Sequence, residues 1–161
     1  MPDQYSPYNI QLLGEQLYVA YAAVDLNAEE TARDAPGPGV GHMVAYDLDG
    51  HIVRELADAG RLNSPWGMAI APENFGPLSG SLLVGNFGDG TVAGFDPSTG
   101  QFKDYMRDPA GKRIVIDKLW GLAFGNGVSL GDTDSLYFTA GPNLEQDGVF
   151  GRLRHAASKP K

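Results

Sequence analysis

The chain has 161 residues, of which 22 are Gly and 11 are Pro, and it carries a formal net charge of −8. This share of structure-breaking residues excludes a helical bundle, and a hydrophobic content of 42% argues against intrinsic disorder. Only 12 Lys and Arg residues oppose 20 Asp and Glu residues, so we expect neither nucleic acid nor an anionic membrane as a partner.

Several classes of protein are excluded by what the sequence lacks. There is no cysteine, which excludes disulfides, thiolate metal sites and a cysteine nucleophile. Met1 to Gln4 contain neither a basic nor an apolar stretch, so no signal peptide is visible and a cytoplasmic location is expected by default. The longest apolar run, Leu17 to Val24, is far shorter than the roughly 18 residues of a membrane span.

The chain repeats one pattern about three times. A first copy begins at Pro7-Tyr8-Asn9-Ile10, and clearer copies begin at Pro65-Trp66-Gly67 and Leu119-Trp120-Gly121. The last two lie 54 positions apart, and the same offset relates Ser81-Leu82-Leu83-Val84 to Ser135-Leu136-Tyr137-Phe138. Two anchors that share one offset indicate an internal repeat.

Each copy consists of short apolar segments separated by turn residues, which is typical of β-strands. In the middle copy the predicted strands are 67–71, 81–86, 91–96 and 101–106, and Asp96-Pro97-Ser98-Thr99-Gly100 forms a tight hairpin loop. Asp47-Leu48-Asp49-Gly50 is the counterpart of this loop in the first copy. The only plausible helical turn is Asn27 to Arg33.

Four antiparallel strands in each repeat predict an all-β fold of the β-propeller class, with about three four-stranded blades per chain. We expect the blades at about 7–62, 63–116 and 117–153, and a disordered tail at 154–161. Three blades do not close a ring, because known propellers contain about four to eight. We therefore expect a homodimer that completes a six-bladed ring through one repeated contact. The alternatives are a piece of a longer protein and a smaller sandwich of the three units.

Three of the motifs are Pro7-Tyr8-Asn9-Ile10-Gln11, Leu62-Asn63-Ser64-Pro65-Trp66-Gly67 and Leu119-Trp120-Gly121-Leu122. They resemble motifs of a family of uncharacterised bacterial β-propeller proteins, which is distantly similar to NHL-repeat and strictosidine-synthase-like propellers. The resemblance extends from about Pro7 to Leu153, and its most specific segment is Leu83-Val84-Gly85-Asn86-Phe87-Gly88-Asp89-Gly90. Members of that family are about twice as long, and this chain matches their carboxy-terminal half. The resemblance implies the propeller fold but no established activity.

Propeller topology places the candidate ligand-binding residues at the mouth of the central channel. There the first strand of each blade begins, and the loops between second and third strands form the same rim. The candidates are Asn9, Asn63, Trp66, Asn86, Asp89, Lys118, Trp120, Asn143 and Glu145. A rigid face with many loops suits the binding of a small molecule in the channel, so a binding and assembly module is the first functional hypothesis.

The segment Asn86-Phe87-Gly88-Asp89-Gly90 allows two interpretations. It is a turn in which Asn86 and Asp89 bond to their own backbone, or it is a Ca²⁺ site in which both side chains supply oxygen ligands. Lactonases of similar propeller architecture hold a divalent cation with Asn and acidic side chains, and this likeness implies a metal-dependent hydrolase as the alternative function. The Glu of those enzymes has no counterpart at Asn9, Asn63 or Lys118.

Other features leave similar alternatives open. Trp66 and Trp120 either pack between neighbouring blades or form an aromatic platform for a sugar or another flat ligand. The loop 141–148 carries either solvated charge or a pair of carboxylates for acid–base work. The insertion 26–41 is a surface excursion, a lid over the channel or an arm to a partner subunit.

No catalytic motif is present, which leaves enzymatic activity open. The three His residues do not have the spacing of a zinc site, and neither a Gly-x-Ser-x-Gly elbow nor a P-loop occurs.

Overall fold

The computed structural model describes residues 4–25 and 33–155 of the chain. Within these ranges the fold is all-β, which confirms the prediction of an all-β chain, and the only helical segment is the 3-10 turn Gly76–Leu78. This part of the chain has no helix long and apolar enough to cross a membrane. The strands are β1 (Tyr5–Leu13), β2 (Gln16–Asp25), β3 (Arg33–Asp34), β4 (His42–Tyr46), β5 (Ile52–Glu55), β6 (Pro65–Ile70), β7 (Leu82–Asn86), β8 (Val92–Phe95), β9 (Phe102–Tyr105), β10 (Leu119–Phe124), β11 (Ser135–Ala140) and β12 (Val149–Arg154).

These strands form three antiparallel sheets, one for each copy of the repeat. Sheet 1 has the order β1-β2-β4-β5, with the short β3 paired to β2, and sheet 2 has the order β6-β7-β8-β9. Sheet 3 has the order β10-β11-β12 within the described ranges. In the predicted tail 154–161, Arg154 is the last residue of β12 and His155 is described, whereas 156–161 lie outside the described residues.

The predicted hairpin loop between β8 and β9 is confirmed. The Asp96 N–H donates to Gln101 O at 2.8 Å, and the Gly100 N–H donates to Asp96 O at 2.8 Å. Gly100 has a φ of 75°, a left-handed conformation that glycine adopts without the steric cost of a Cβ. The counterpart in sheet 1 closes in the same way, because the Asp47 N–H donates to His51 O at 3.0 Å.

Sheet 2 lies between the other two sheets and is buried on both faces. Successive side chains of a strand point to opposite faces, so Leu82 and Val84 join the apolar cluster shared with sheet 1, whereas Leu83 joins the cluster shared with sheet 3. This arrangement explains the uninterrupted apolar run of β7, since a strand covered on both faces needs no polar alternation.

Sheets 1 and 3 each have one face that no other described sheet covers. In β1, Leu13 packs against the cluster shared with sheet 2, whereas Ile10 and Leu12 point the other way and are 61% and 57% exposed. In β12, Leu153 packs toward sheet 2, whereas Phe150 is 74% exposed. Two apolar faces are therefore left at opposite ends of the row of sheets.

Candidate ligand-binding rim

The first strand of each sheet begins with an irregularity that contains an aromatic residue. The antiparallel register shifts between Pro7 and Asn9, between Pro65 and Gly67, and between Leu119 and Leu122. Tyr8, Trp66 and Trp120 occupy these positions, and each is half-buried. β-Bulges redirect side chains at the ends of sheets. The repeat therefore presents one aromatic side chain per sheet at the same level.

The loops after the second strands lie at this same end of the sheets. Pro65 pairs with Asn86 and Leu119 pairs with Ala140, so the start of each first strand adjoins the end of its second strand. We call this end of the three sheets the rim. The sequence-based candidates occupy its strand starts and loops in the described residues: Asn9, Asn63, Trp66, Asn86, Asp89, Lys118, Trp120, Asn143 and Glu145.

Neighbouring sheets approach each other at equivalent rim positions. The Asn9 side-chain amide donates to the Trp66 carbonyl oxygen at 2.8 Å, which joins sheet 1 to sheet 2. Gly67, the repeat equivalent of Asn9, faces the Trp120 carbonyl oxygen, and a Cβ at Gly67 would collide with that oxygen. In both cases the residue after the bulge of one sheet adjoins the carbonyl oxygen of the bulge residue in the next sheet, so the same structural relation occurs twice.

The two Trp residues have different surroundings. The Trp66 ring reaches sheet 3, where a Cβ placed on Gly121 would lie 3.7 Å from Trp66 Cζ3. The Trp120 Nε1–H donates to Glu145 Oε1 at 3.2 Å, and the indole covers Gly141 of its own sheet. Trp66 thus packs against a neighbouring sheet, whereas Trp120 lies on the side of sheet 3 that has no described neighbour.

The loop that positions Glu145 has a strained backbone. Asn143, Leu144 and Glu145 have φ values of 56°, 56° and 66°, and left-handed conformation costs a non-glycine residue roughly 1–2 kcal/mol. The loop is held by a hydrogen bond from the Glu145 N–H to Gly141 O at 3.0 Å. Strain of this kind is found at ligand sites more often than in ordinary loops.

Lys118 lies at the start of β10 and contributes a positive charge to the rim. Its Nζ lies 4.2 Å from the centroid of the Phe87 ring, within the range of a cation–π interaction. The Tyr8 ring meets the same Phe87 ring edge-on, with centroids 6.4 Å apart. Sequence reasoning did not single out Tyr8 and Phe87, although the alignment of Tyr8 with Trp66 and Trp120 in the repeat was a usable signal.

Asn86 is fully buried, and its carboxamide forms hydrogen bonds with two backbone groups and one side chain. Its Nδ2 donates to Arg61 O and to Thr91 Oγ1, each at 3.0 Å, and its Oδ1 accepts the Asn63 N–H at 3.0 Å. Asn63 is also buried, and its Oδ1 accepts the Gly37 N–H at 2.8 Å. Through these hydrogen bonds the two buried side chains hold together the backbone segments that form the rim.

Asp89 makes the bonds expected of a turn. Its Oδ1 accepts the Thr91 N–H at 3.0 Å and the Thr91 hydroxyl at 2.7 Å. Potential His, Asp and Glu ligands converge elsewhere in the described ranges, where Asp47, Asp49 and His51 lie on the exposed sheet 1 hairpin. There Asp47 Oδ1 accepts the N–H groups of Asp49 and His51, which accounts for the cluster as a hairpin cap. The Ca²⁺ site at Asn86 and Asp89 stays a prediction.

The insertion 26–41 is described only in part, because residues 26–32 lie outside the described ranges. That gap includes nearly all of the predicted helical turn, whose last residue, Arg33, belongs to β3. The remainder of the insertion is tied to sheet 2, since the Ser64 N–H donates to Val40 O at 2.8 Å. Whether the insertion acts as a lid or an arm stays a prediction.

Comparisons with known proteins complete the description of the chain. No protein-family model matches it. Two uncharacterized proteins of Acanthamoeba polyphaga mimivirus, R648 and L690, are 37% and 38% identical to it over 153 residues, or 95% of this chain. The chain spans 36% and 39% of the lengths of these relatives. Among solved structures, a protein of unknown function from Bacteroides caccae is 15% identical, with a TM-score of 0.47, over 96% of this chain and 48% of that one.

Proposed function

We propose that the chain is a β-propeller binding module of the uncharacterised bacterial family that its motifs resemble. Its three sheets are consecutive blades, two copies close a six-bladed ring, and the rim binds a small molecule. The observation that carries this proposal is the repeated relation at the rim, in which Asn9 meets the Trp66 carbonyl and Gly67 meets the Trp120 carbonyl. A relation that recurs from sheet to sheet generates a ring when its rotation closes.

The uncovered faces of the two end sheets favour a second copy as the partner. Ala69, Leu83 and Val92 of sheet 2 pack into the cluster shared with sheet 3. Their repeat equivalents on sheet 3 are Ala123, Tyr137 and Phe150, which lie on its uncovered face. The face that sheet 1 offers in return includes Ile10 and Leu12. The proposed contact between sheet 3 of one copy and sheet 1 of another therefore uses the same face as the contact between sheets 2 and 3 within one copy. A two-fold axis relates the two such contacts of a dimer.

The measurement that tests the ring is the mass of the chain in solution. Multi-angle light scattering should give twice 17.2 kDa at micromolar concentration. Phe150→Lys places a charge in the proposed contact and should give the monomer, whereas Val128→Lys, in the exposed β10–β11 loop, should leave the dimer intact. A wild-type chain that stays monomeric contradicts the dimer.

The rim suits a ligand with a flat apolar face and polar edges, such as a carbohydrate. Tyr8 and Trp120 offer aromatic faces, and Glu145 and Lys118 add one charge of each sign. Pockets that combine an apolar lining with a few polar groups are typical of small-molecule sites. The lactonase-type hydrolase remains the alternative function.

Intrinsic fluorescence tests the ligand class directly, because Trp66 and Trp120 are the only two Trp residues in the chain. Titration with maltohexaose, cellohexaose or chitohexaose should change the emission in a saturable way. Trp120→Ala should weaken that binding, whereas Gln101→Ala on the far hairpin should not. Unchanged emission with all three sugars at millimolar concentration contradicts the carbohydrate class.

A further inference from the structure

The rim contains one aromatic ring that carries a cation from the chain itself. Lys118 Nζ, at the start of sheet 3, lies 4.2 Å from the centroid of the Phe87 ring, which is buried at the end of sheet 2. A cation in this position is attracted by the negative face of the ring. This pair shows which kind of group an aromatic side chain of the rim accepts.

Sheet 3 has an aromatic ring at the equivalent position. The Phe87 N–H donates to Ser64 O at 3.0 Å, and the Gly141 N–H donates to Lys118 O at 2.9 Å, so Gly141 is the repeat equivalent of Phe87. A Cβ at Gly141 would lie 2.6 Å from Trp120 Cζ2. The Trp120 indole therefore fills the space in which a side chain at position 141 would begin.

The cation that covers Phe87 has no described counterpart at Trp120. The residue that corresponds to Lys118 is Ser64 in sheet 2 and Ser6 in sheet 1, so a second copy that packs its sheet 1 on sheet 3 would bring no ammonium group. In the described ranges, cations lie over the rings of Phe87, Phe102 and Tyr105. The Trp120 side chain is half-buried, which leaves part of its surface to a ligand.

Glu145 supplies the negative charge that a bound cation requires. Its Oε1 accepts the Trp120 indole N–H at 3.2 Å, and its own N–H donates to Gly141 O at 3.0 Å, so the carboxylate and the ring are both held at Gly141. An indole N–H lies in the plane of the ring, and the carboxylate is therefore at the ring edge and does not cover a face. Asp117, Glu145 and Asp147 are exposed at this end of sheet 3 and outnumber Lys118, which also favours a cation.

We propose that Trp120 and Glu145 bind an ammonium group of the rim ligand, with the cation over the indole and the carboxylate beside it. For the rest of the ligand this inference rests on the proposed function: among carbohydrates, the rim selects an amino sugar with a free amine. An N-acetylated amine carries no charge, so it gains neither the cation–π attraction nor the ion pair.

Two hexasaccharides that differ only at this amine test the selection. At mildly acidic pH, where Glu is still ionised, the glucosamine hexamer is cationic and chitohexaose is neutral. Titrations followed by Trp fluorescence should give a dissociation constant about tenfold lower for the glucosamine hexamer. Equal or tighter binding of chitohexaose overturns this inference and leaves the carbohydrate proposal standing.

Failure of both hexasaccharides to bind contradicts the proposed function and the amino sugar together. Putrescine, a simple diamine, then tests the ammonium site without a sugar. Saturable binding of putrescine supports the site at Trp120 and Glu145, and absence of binding overturns it.

A pair of chain variants tests the role of Glu145. Glu145→Gln keeps a side-chain oxygen for the indole N–H but removes the charge, so the dissociation constants of the two hexasaccharides should become nearly equal. Asp117→Asn also removes one exposed negative charge at this end of sheet 3 and should keep the preference for the amine. A preference that Glu145→Gln leaves unchanged contradicts the proposal.

NMR of the wild-type chain gives a readout that does not depend on the folding of a variant. The two Trp residues give two indole N–H signals. The glucosamine hexamer should shift the signal of Trp120, whose N–H meets Glu145, more than that of Trp66. A shift confined to Trp66 contradicts the proposal.

Discussion

The side-chain amide of Asn9 donates a hydrogen bond to the main-chain carbonyl of Trp66, 57 residues along the chain, at 2.8 Å. At the same time Asn9 Oδ1 accepts the Ile10 N–H at 2.9 Å. One side chain thus fixes the bulge of its own strand and joins sheet 1 to the bulge of sheet 2.

Asn9→Asp tests this junction because it keeps the acceptor and removes the donor. The Trp66 carbonyl then loses its partner and faces a carboxylate, so we expect the free energy of unfolding to fall by about 1 kcal/mol. Gln101→Glu adds the same charge at an exposed position and serves as the control. Urea denaturation curves give the comparison, and equal midpoints for the two variants would contradict the junction.

Gly67→Ala tests the close approach of sheets 2 and 3. A Cβ at Gly67 would collide with the Trp120 carbonyl oxygen, and backbone cannot move aside as a flexible side chain can. We expect a loss of about 1–3 kcal/mol, the usual range for overpacking. Gly148→Ala is the matched control, since nothing lies within 4 Å of its Cβ position. Thermal unfolding of both variants measures the difference; a neutral Gly67→Ala would show that the sheets are not this close.

Asn86→Ala separates the two interpretations of the Asn86-to-Gly90 segment. Loss of the carboxamide leaves Arg61 O and the Asn63 N–H without their buried partner, and each unsatisfied group costs about 1–3 kcal/mol. We expect marked destabilisation both with and without Ca²⁺.

Chelation followed by millimolar Ca²⁺ should leave the Tm of the wild-type chain unchanged, because Asn86 Oδ1 already accepts the Asn63 N–H. A Ca²⁺-dependent rise in Tm that Asn86→Ala abolishes would instead support the metal site and, with it, the hydrolase alternative.

The Asp96 hairpin makes stability depend on pH in the acid range. Hydrogen bonds from the Ser98 hydroxyl, and then from the Thr99 and Ser98 N–H groups, lower the pKa of Asp96 from 3.8 to about 2. Between these values the unfolded chain binds more protons than the folded chain at this site, so the stabilisation is present above about pH 4 and is lost as the pH falls to about 2.

Asp96→Asn should therefore flatten the dependence of unfolding free energy on pH between about 4 and 2. Urea titrations at several pH values measure the slope of both proteins. An Asp117→Asn variant, which makes the same substitution at an exposed position, provides the reference. Parallel slopes for wild type and Asp96→Asn would contradict the lowered pKa.

Local patterns made a large part of the fold predictable. The hairpin at Asp96 follows from residues within five positions of one another, and the strands of sheet 2 follow from short apolar runs between turn residues. The shared offset of Trp66 and Trp120 also predicted that the two residues have equivalent positions. It did not predict their different surroundings, because only Trp66 has a described neighbouring sheet.

The site depended more on distant contacts. Asn86 looked like a turn residue or a cation ligand, whereas its partners include the main chain of Arg61 and Asn63, more than twenty positions away. Likewise, no local signal connects Lys118 with Phe87, since the chain brings the two together only when sheet 3 packs on sheet 2.

By itself, the sequence determined that this chain is built of strands, that one unit recurs in it and where its tight turns lie, since strand periodicity and turn chemistry act over a few residues. Only the tertiary structure decided which polar side chains form hydrogen bonds with distant segments and which apolar faces no other described sheet covers. Those properties arise from packing between sheets, which couples residues that are far apart in the chain.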